Sequence, residues 1–125
     1  AYVDCLGMCT VVRGAFGFSE SPTGDVLEAV TGHGFTPQLA KIAERIYTLE
    51  RVILNREGIR RADDQLPERI TKEKLPDGPT QGRILTDEMY AVMLDEYYAA
   101  RGWDADGVVK PETARAAGLA EIVAL

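Results

Sequence analysis

The run Thr36-Pro37-Gln38-Leu39-Ala40-Lys41-Ile42-Ala43-Glu44-Arg45-Ile46-Tyr47-Thr48-Leu49-Glu50-Arg51-Val52-Ile53-Leu54-Asn55-Arg56-Glu57-Gly58 carries the fold class in its spacing. Thr36 suits an N-cap, and Pro37 suits the first helical position, where a missing N–H costs nothing. Leu39, Ile42, Ala43, Ile46, Leu49 and Ile53 recur every three or four residues, which predicts one buried stripe. Lys41, Glu44, Arg45 and Arg51 are expected on the solvent side. Arg56 suits the last turn and Gly58 the stop.

A second helix is predicted from Thr86, with Asp87 and Glu88 in its first turn and Leu85 and Tyr90 placed as a hydrophobic staple. Its stripe reads Tyr90, Met93, Leu94, Tyr97, and Gly102 ends it. Tyr90 and Tyr97 are expected in the core, with Trp103 packing back on the helix end. Shorter helices fit 25–30, closed by Thr31-Gly32-His33-Gly34, and 111–117, closed by Gly118. Residues 66–83 contain Pro67, Pro76, Pro79, Gly78 and Gly82, so an extended connector is expected there. Nothing alternates with period two for long enough to make a strand. The expected fold is all-α, multihelical, with long Pro/Gly-rich loops, and one helical domain over 1–125.

Length and composition agree with this. A chain of 125 residues with 46% hydrophobic and 27% charged side chains has globular proportions and the size of one domain. The net charge of −6 argues against general nucleic-acid binding, which needs a cationic face. No run approaches the roughly 18 apolar residues that span a bilayer, so no membrane role is expected. Charge is unevenly placed: residues 1–36 sum to −3, 37–75 to +2 and 76–125 to −5.

Few residues offer reactive chemistry. Cys5 and Cys9 are the only cysteines and His33 the only histidine, too few to close a zinc or iron–sulfur site alone. For two bare cysteines the default is small, buried apolar residues. His33, between glycines, reads as a solvated turn histidine. The segment from Asn55 to Arg69 reads as a solvated, mutually paired charged run. Its alternatives are a docking surface presenting Arg56, Arg60 and Arg61, and a fixed guanidinium fork at Arg69 for a buried carboxylate or phosphate.

The order of motifs is more specific than any one of them. Asp4-x-x-Gly7-Met8-Cys9 resembles the D-x-x-G-[LM]-C motif near the C-terminal end of tungsten-containing aldehyde ferredoxin oxidoreductases. In that family's order follow Thr31-Gly32, Thr36-Pro37, and Glu44-Arg45-Ile46-Tyr47-x-Leu49-Glu50-Arg51. Next come Asp63-Asp64-x-Leu66-Pro67-x-Arg69, then Leu75-Pro76-x-Gly78-Pro79, Asp95-Glu96-Tyr97-Tyr98 and Arg101-Gly102-Trp103. The resemblance covers nearly the whole chain.

It implies a larger cytoplasmic enzyme that oxidises an aldehyde to a carboxylic acid at a tungsten bis-pterin cofactor, with a [4Fe–4S] cluster passing electrons to ferredoxin. By position in the motif, Cys9 aligns with the fourth cluster ligand; the other three come from an upstream C-x-x-C-x-x-x-C that this chain lacks. Asp4 aligns with an aspartate that contacts a pterin amine, and Met8 and Thr10 flank the cysteine where the family lines the pterin. Met8 replaces the commoner Leu, and Cys5 falls at a variable position. The chain is therefore expected to be a C-terminal helical fragment, inactive alone, whose partners are the remaining domains of the same polypeptide and ferredoxin; a homo-oligomer stays open. The alternative is a free-standing helical module that has lost the cofactor and binds a partner.

Overall fold

The computed structural model describes residues 6, 7, 9, 11 and 20–123, and among these the regular structure is helical, without strands. Over residues 20–123 the helices are α1 (Glu20–Thr31), α2 (Leu39–Arg56), α3 (Glu68–Lys72), α4 (Asp87–Arg101), α5 (Pro111–Ala116) and α6 (Ala120–Val123). Two 3₁₀ turns, Thr36–Gln38 and Arg61–Asp63, introduce α2 and follow it.

The helix ends follow local chemistry. The Thr86 side chain accepts a hydrogen bond from the Met89 N–H at 3.3 Å, satisfying one orphan donor of α4. At the other end Gly102 adopts the left-handed conformation, and the Trp103 N–H returns to the Tyr98 carbonyl at 2.9 Å, a Schellman closure. Thr36 does not cap α2 as expected. It is itself the first residue of the 3₁₀ turn, its side chain lies against Gly24 of α1, and α2 proper starts at Leu39. Helix α1 is twice the expected length, and the predicted connector contains α3. A short helix fits there because Glu68 to Lys72 lies between Pro67, its N-cap, and Pro76, and Lys72 pairs with Asp87 at the start of α4.

Among the described residues the core is small and its buried cluster lies towards the C-terminal end. Val52, Tyr98, Trp103, Val109, Ala114 and Leu119 form its buried cluster, with Leu49, Leu94, Ala117 and Ile122 packed against it. Two of the predicted stripes reach it only in part. On α2 the buried residues are Leu39, Thr48, Arg51 and Val52, while Ile42 and Ile53 are exposed. On α4 the buried residue is Tyr98, while Met93 and Tyr97 are exposed. The core meets one flank of each helix, and the apolar stripes are wider than that flank.

Candidate functional site

Between Trp103 and Val109 the chain makes a tight loop closed by an antiparallel bridge between those two residues. Asp104 shapes it: its Oδ1 accepts the N–H groups of Asp106 and Val108, each at 2.9 Å. Such short-range Asx bonds hold the backbone in a turn without regular structure. The loop aims the Gly107 carbonyl at α2, where Arg51 Nε donates to it at 2.7 Å and Asn55 Nδ2 at 3.1 Å. Asn55 Oδ1 accepts the Val109 N–H at 3.1 Å, which completes the attachment of the loop to α2.

Arg51 is the centre of this region. It was expected on the solvent face, yet it is only 5% exposed. Its two terminal nitrogens bond both oxygens of Asp64, at 2.8 and 2.7 Å, and its guanidinium lies 4.8 Å from the centroid of the Trp103 ring. The Tyr98 hydroxyl also donates to Asp64, and the Tyr90 hydroxyl donates to the Asp64 carbonyl at 3.0 Å. A cation in a core is tolerable only with its donors satisfied, and here each charged nitrogen has an acceptor. The charge-assisted fork pushes the Arg51 pKa further up and holds the Asp64 carboxyl below the usual carboxylate range. Burial, reinforced by the bond to Asp64, raises the Tyr98 phenol to about 12.

Gly107 makes this packing possible. Its φ is +73°, and a Cβ there would overlap Arg51 Nη2 and stand 3.0 Å from Tyr98 Cζ. Arg61 ties the next layer: it bonds Asp95 at 2.6 Å and the Ala91 carbonyl at 3.0 Å, and its N–H donates to the Asp106 carbonyl at 2.9 Å. The knot thus joins α2, the 61–64 turn, α4 and the 104–108 loop.

The charged segment is therefore more internal than expected. Arg60 donates to the carbonyls of Asn55 and Ile59 at 2.7 and 2.8 Å, closing the end of α2. Arg69 follows the default reading of a solvated, paired charge rather than the alternative of a fork for a buried anion: its side chain is 85% exposed and pairs with Glu73 at 3.4 Å. The buried fork is Arg51. One signal for it was available: Thr48, Arg51, Val52 and Asn55 share one side of the helix at spacings of three and four.

The N-terminal motif is partly described. Leu6 and Gly7 form a turn, with Gly7 at φ +67°, and Cys9 is an exposed free thiol. The expectation of a buried apolar cysteine is thus corrected for Cys9, because the turn leaves it on the surface. Asp4, Cys5, Met8 and Thr10 lie outside the described residues. His33 is exposed, with Nδ1 2.9 Å from the Thr31 carbonyl oxygen, as a turn histidine would be. Among the described residues no three or more His, Cys, Asp or Glu side chains converge as metal ligands. Cys9 fits a cluster only as one ligand completed from elsewhere.

Residues 1–119 match the family model described as aldehyde ferredoxin oxidoreductase, domains 2 and 3. The chain belongs to the aldehyde ferredoxin oxidoreductase family. Within that family it is 35% identical over 125 residues to the tungsten-containing aldehyde ferredoxin oxidoreductase of Thermococcus kodakarensis, covering 98% of this chain and 20% of that protein. It is 36% identical over 123 residues to the protein of the same name from Pyrococcus furiosus, covering 97% of this chain and 20% of the relative. The Pyrococcus abyssi protein is 34% identical, with 98% and 20% covered. The chain thus spans about a fifth of the length of these aldehyde ferredoxin oxidoreductases. Among the described residues no helix is long and apolar enough to cross a membrane.

Proposed function

We propose that this chain is the C-terminal helical domain of a tungsten-dependent aldehyde:ferredoxin oxidoreductase, and that Cys9 is one thiolate ligand of its [4Fe–4S] cluster. The observation that carries the reading is the identity with tungsten-containing aldehyde ferredoxin oxidoreductases over all but a few residues of the chain. Its local support is the exposed free thiol of Cys9 two residues after the left-handed Gly7 turn. A thiolate bound for a cluster held by other segments has to stand clear of its own domain, and exposure is what that requires.

The remaining motif residues take roles set by their chemistry. The carboxylate of Asp4 accepts hydrogen bonds from the amino and ring N–H groups of a pterin. Met8 and Thr10, on either side of Cys9, line the pterin and help exclude water, which tunes the potential of a nearby cluster. The bound cofactors supply the redox chemistry: aldehyde and water become carboxylic acid, two protons and two electrons, and the electrons leave through the cluster to ferredoxin. The protein of 125 residues contributes one ligand and part of a pterin wall, so alone it has no turnover.

The test is Cys9→Ala in the polypeptide that carries this chain, with iron, tungsten and the reduced-cluster electron paramagnetic resonance signal measured. Cluster iron and signal should fall while far-ultraviolet circular dichroism stays unchanged. The isolated chain, reconstituted anaerobically with iron and sulfide, should take up no stoichiometric cluster. An intact cluster in the variant would refute the role of Cys9, and a full cluster on the isolated chain would refute the claim that the other ligands come from other segments.

A further inference from the structure

Helix α4 is apolar on two sides. Tyr90, Leu94 and Tyr98 face the Arg51 knot and the core, while Met89, Val92 and Met93 on the outer side are 56%, 56% and 54% exposed. An apolar stripe on a helix marks a face that packs against another element. A groove of about 500 Å³ lies between α2 and α4, and its walls include Tyr47, Leu54, Tyr90, Leu94, Tyr97 and Trp103. Trp103 is 6% exposed, and its indole N–H has no acceptor among the described residues. The accessible surface of the chain is 8754 Å². A compact protein of its mass exposes about 6,600 Å².

A second copy of the chain is a poor cover. The α4 face carries Glu88, Asp95 and Glu96 around the apolar stripe, and Asp95 alone of these has a described cationic partner, Arg61. Self-pairing would bring these carboxylates together across the contact, in a chain already at −6. The relatives supply another occupant, since about four-fifths of their length lies outside the stretch that this chain matches.

We infer that the outer face of α4, with the α2/α4 groove, is where the rest of the enzyme polypeptide seats on this domain. The seated segment presents apolar side chains to Met89, Val92 and Met93 and Lys or Arg to the acidic rim. This rests on the reading of the chain as a domain of the larger enzyme and adds to it the face that docks.

The experiment expresses the 125-residue chain and the remainder of the polypeptide as separate chains and measures their association, with Trp103 emission as a second reporter because it is the only tryptophan. Wild-type chain should bind and shift the emission. Val92→Glu/Met93→Glu, both at exposed helical positions, should keep the circular dichroism and melting temperature of the isolated chain yet weaken association at least a hundredfold. Wild-type-like binding by the variant overturns the assignment of this face while leaving the enzyme-domain reading intact. Absence of binding by the wild-type chain counts against the enzyme-domain reading itself. If the variant loses only a self-association of the wild-type chain, a second copy covers α4 and the inference is overturned.

Discussion

Replacing Asp64 with Asn keeps the shape of the side chain and removes the charge that balances Arg51. The guanidinium is buried, and after the change its remaining acceptor of full strength is the Gly107 carbonyl at 2.7 Å. One amide N–H₂ of the new side chain would also point at a donor, either an Arg51 nitrogen or the Tyr98 hydroxyl. Breaking a buried pair from one side costs about 3–5 kcal/mol. The Asp64 side chain retains 23% of its exposure, so water reaches the site and the lower end, about 3 kcal/mol, is expected. At about 2.1 cal/mol/K of unfolding entropy per residue, that loss lowers the melting temperature by roughly 11 °C. Thermal and urea unfolding of the isolated chain at pH 7 would measure it. Because the Asp64 pKa is depressed in the folded state, its contribution is present above the unfolded carboxylate value and lost as pH falls through the folded one. The gap between variant and wild type should therefore close in acid. Arg69→Ala, which breaks the exposed pair with Glu73, is the control and should change little. A loss below about 1 kcal/mol for Asp64→Asn would show that the pair behaves as an ordinary surface ion pair and would refute the argument.

Two further changes probe the same knot. Gly107→Ala puts a methyl group onto Arg51 Nη2 at a positive φ, so a loss of at least about 2 kcal/mol is expected in urea unfolding; an unchanged midpoint would mean the loop yields freely. Tyr98 binds its proton more tightly when folded, at about 12, than a free tyrosine near 10, so the stability this lends is full below the unfolded value and is lost as pH rises through the folded one. Tyr98→Phe should therefore flatten the decline of stability across that alkaline window, and a parallel decline in both proteins would remove Tyr98 as its source.

How much of this was legible in the sequence depends on the range of the interactions. Helix existence and end chemistry are local: Thr86, Asp87 and Gly102 announce α4, and each does what its side chain and backbone favour. The Arg51 knot is not local, because Asp64 is 13 residues away and Gly107 is 56. A cation on a helix reads as solvent-facing until its acceptors are located, and no spacing rule locates them. The Gly107 carbonyl acts only because Asp104 bends the loop toward α2, a geometry that the Asp104-Ala105-Asp106-Gly107 string suggests as a turn without saying what it faces.

The other misreadings have one physical cause. Ile42, Ile53, Met93 and Tyr97 were expected in a core and lie on the surface, and all belong to the stripes of α2 and α4. Apolar periodicity marks a face that avoids water, not the element that covers it. Among the described residues the available cover is the small cluster around Trp103 and Leu119, which reaches one flank of each helix. In a chain complete in itself, these stripes would be a solubility liability of the kind that exposed apolar patches create. On the proposed reading, in which the chain is one domain of a larger enzyme, they are the part of the periodic signal that belongs to contacts with other segments; the matched stretch is a fifth of the length of the Thermococcus kodakarensis relative. The discrepancy between stripe and core is thus itself a measurement: it locates the side of α2 and α4 from which the larger protein should approach.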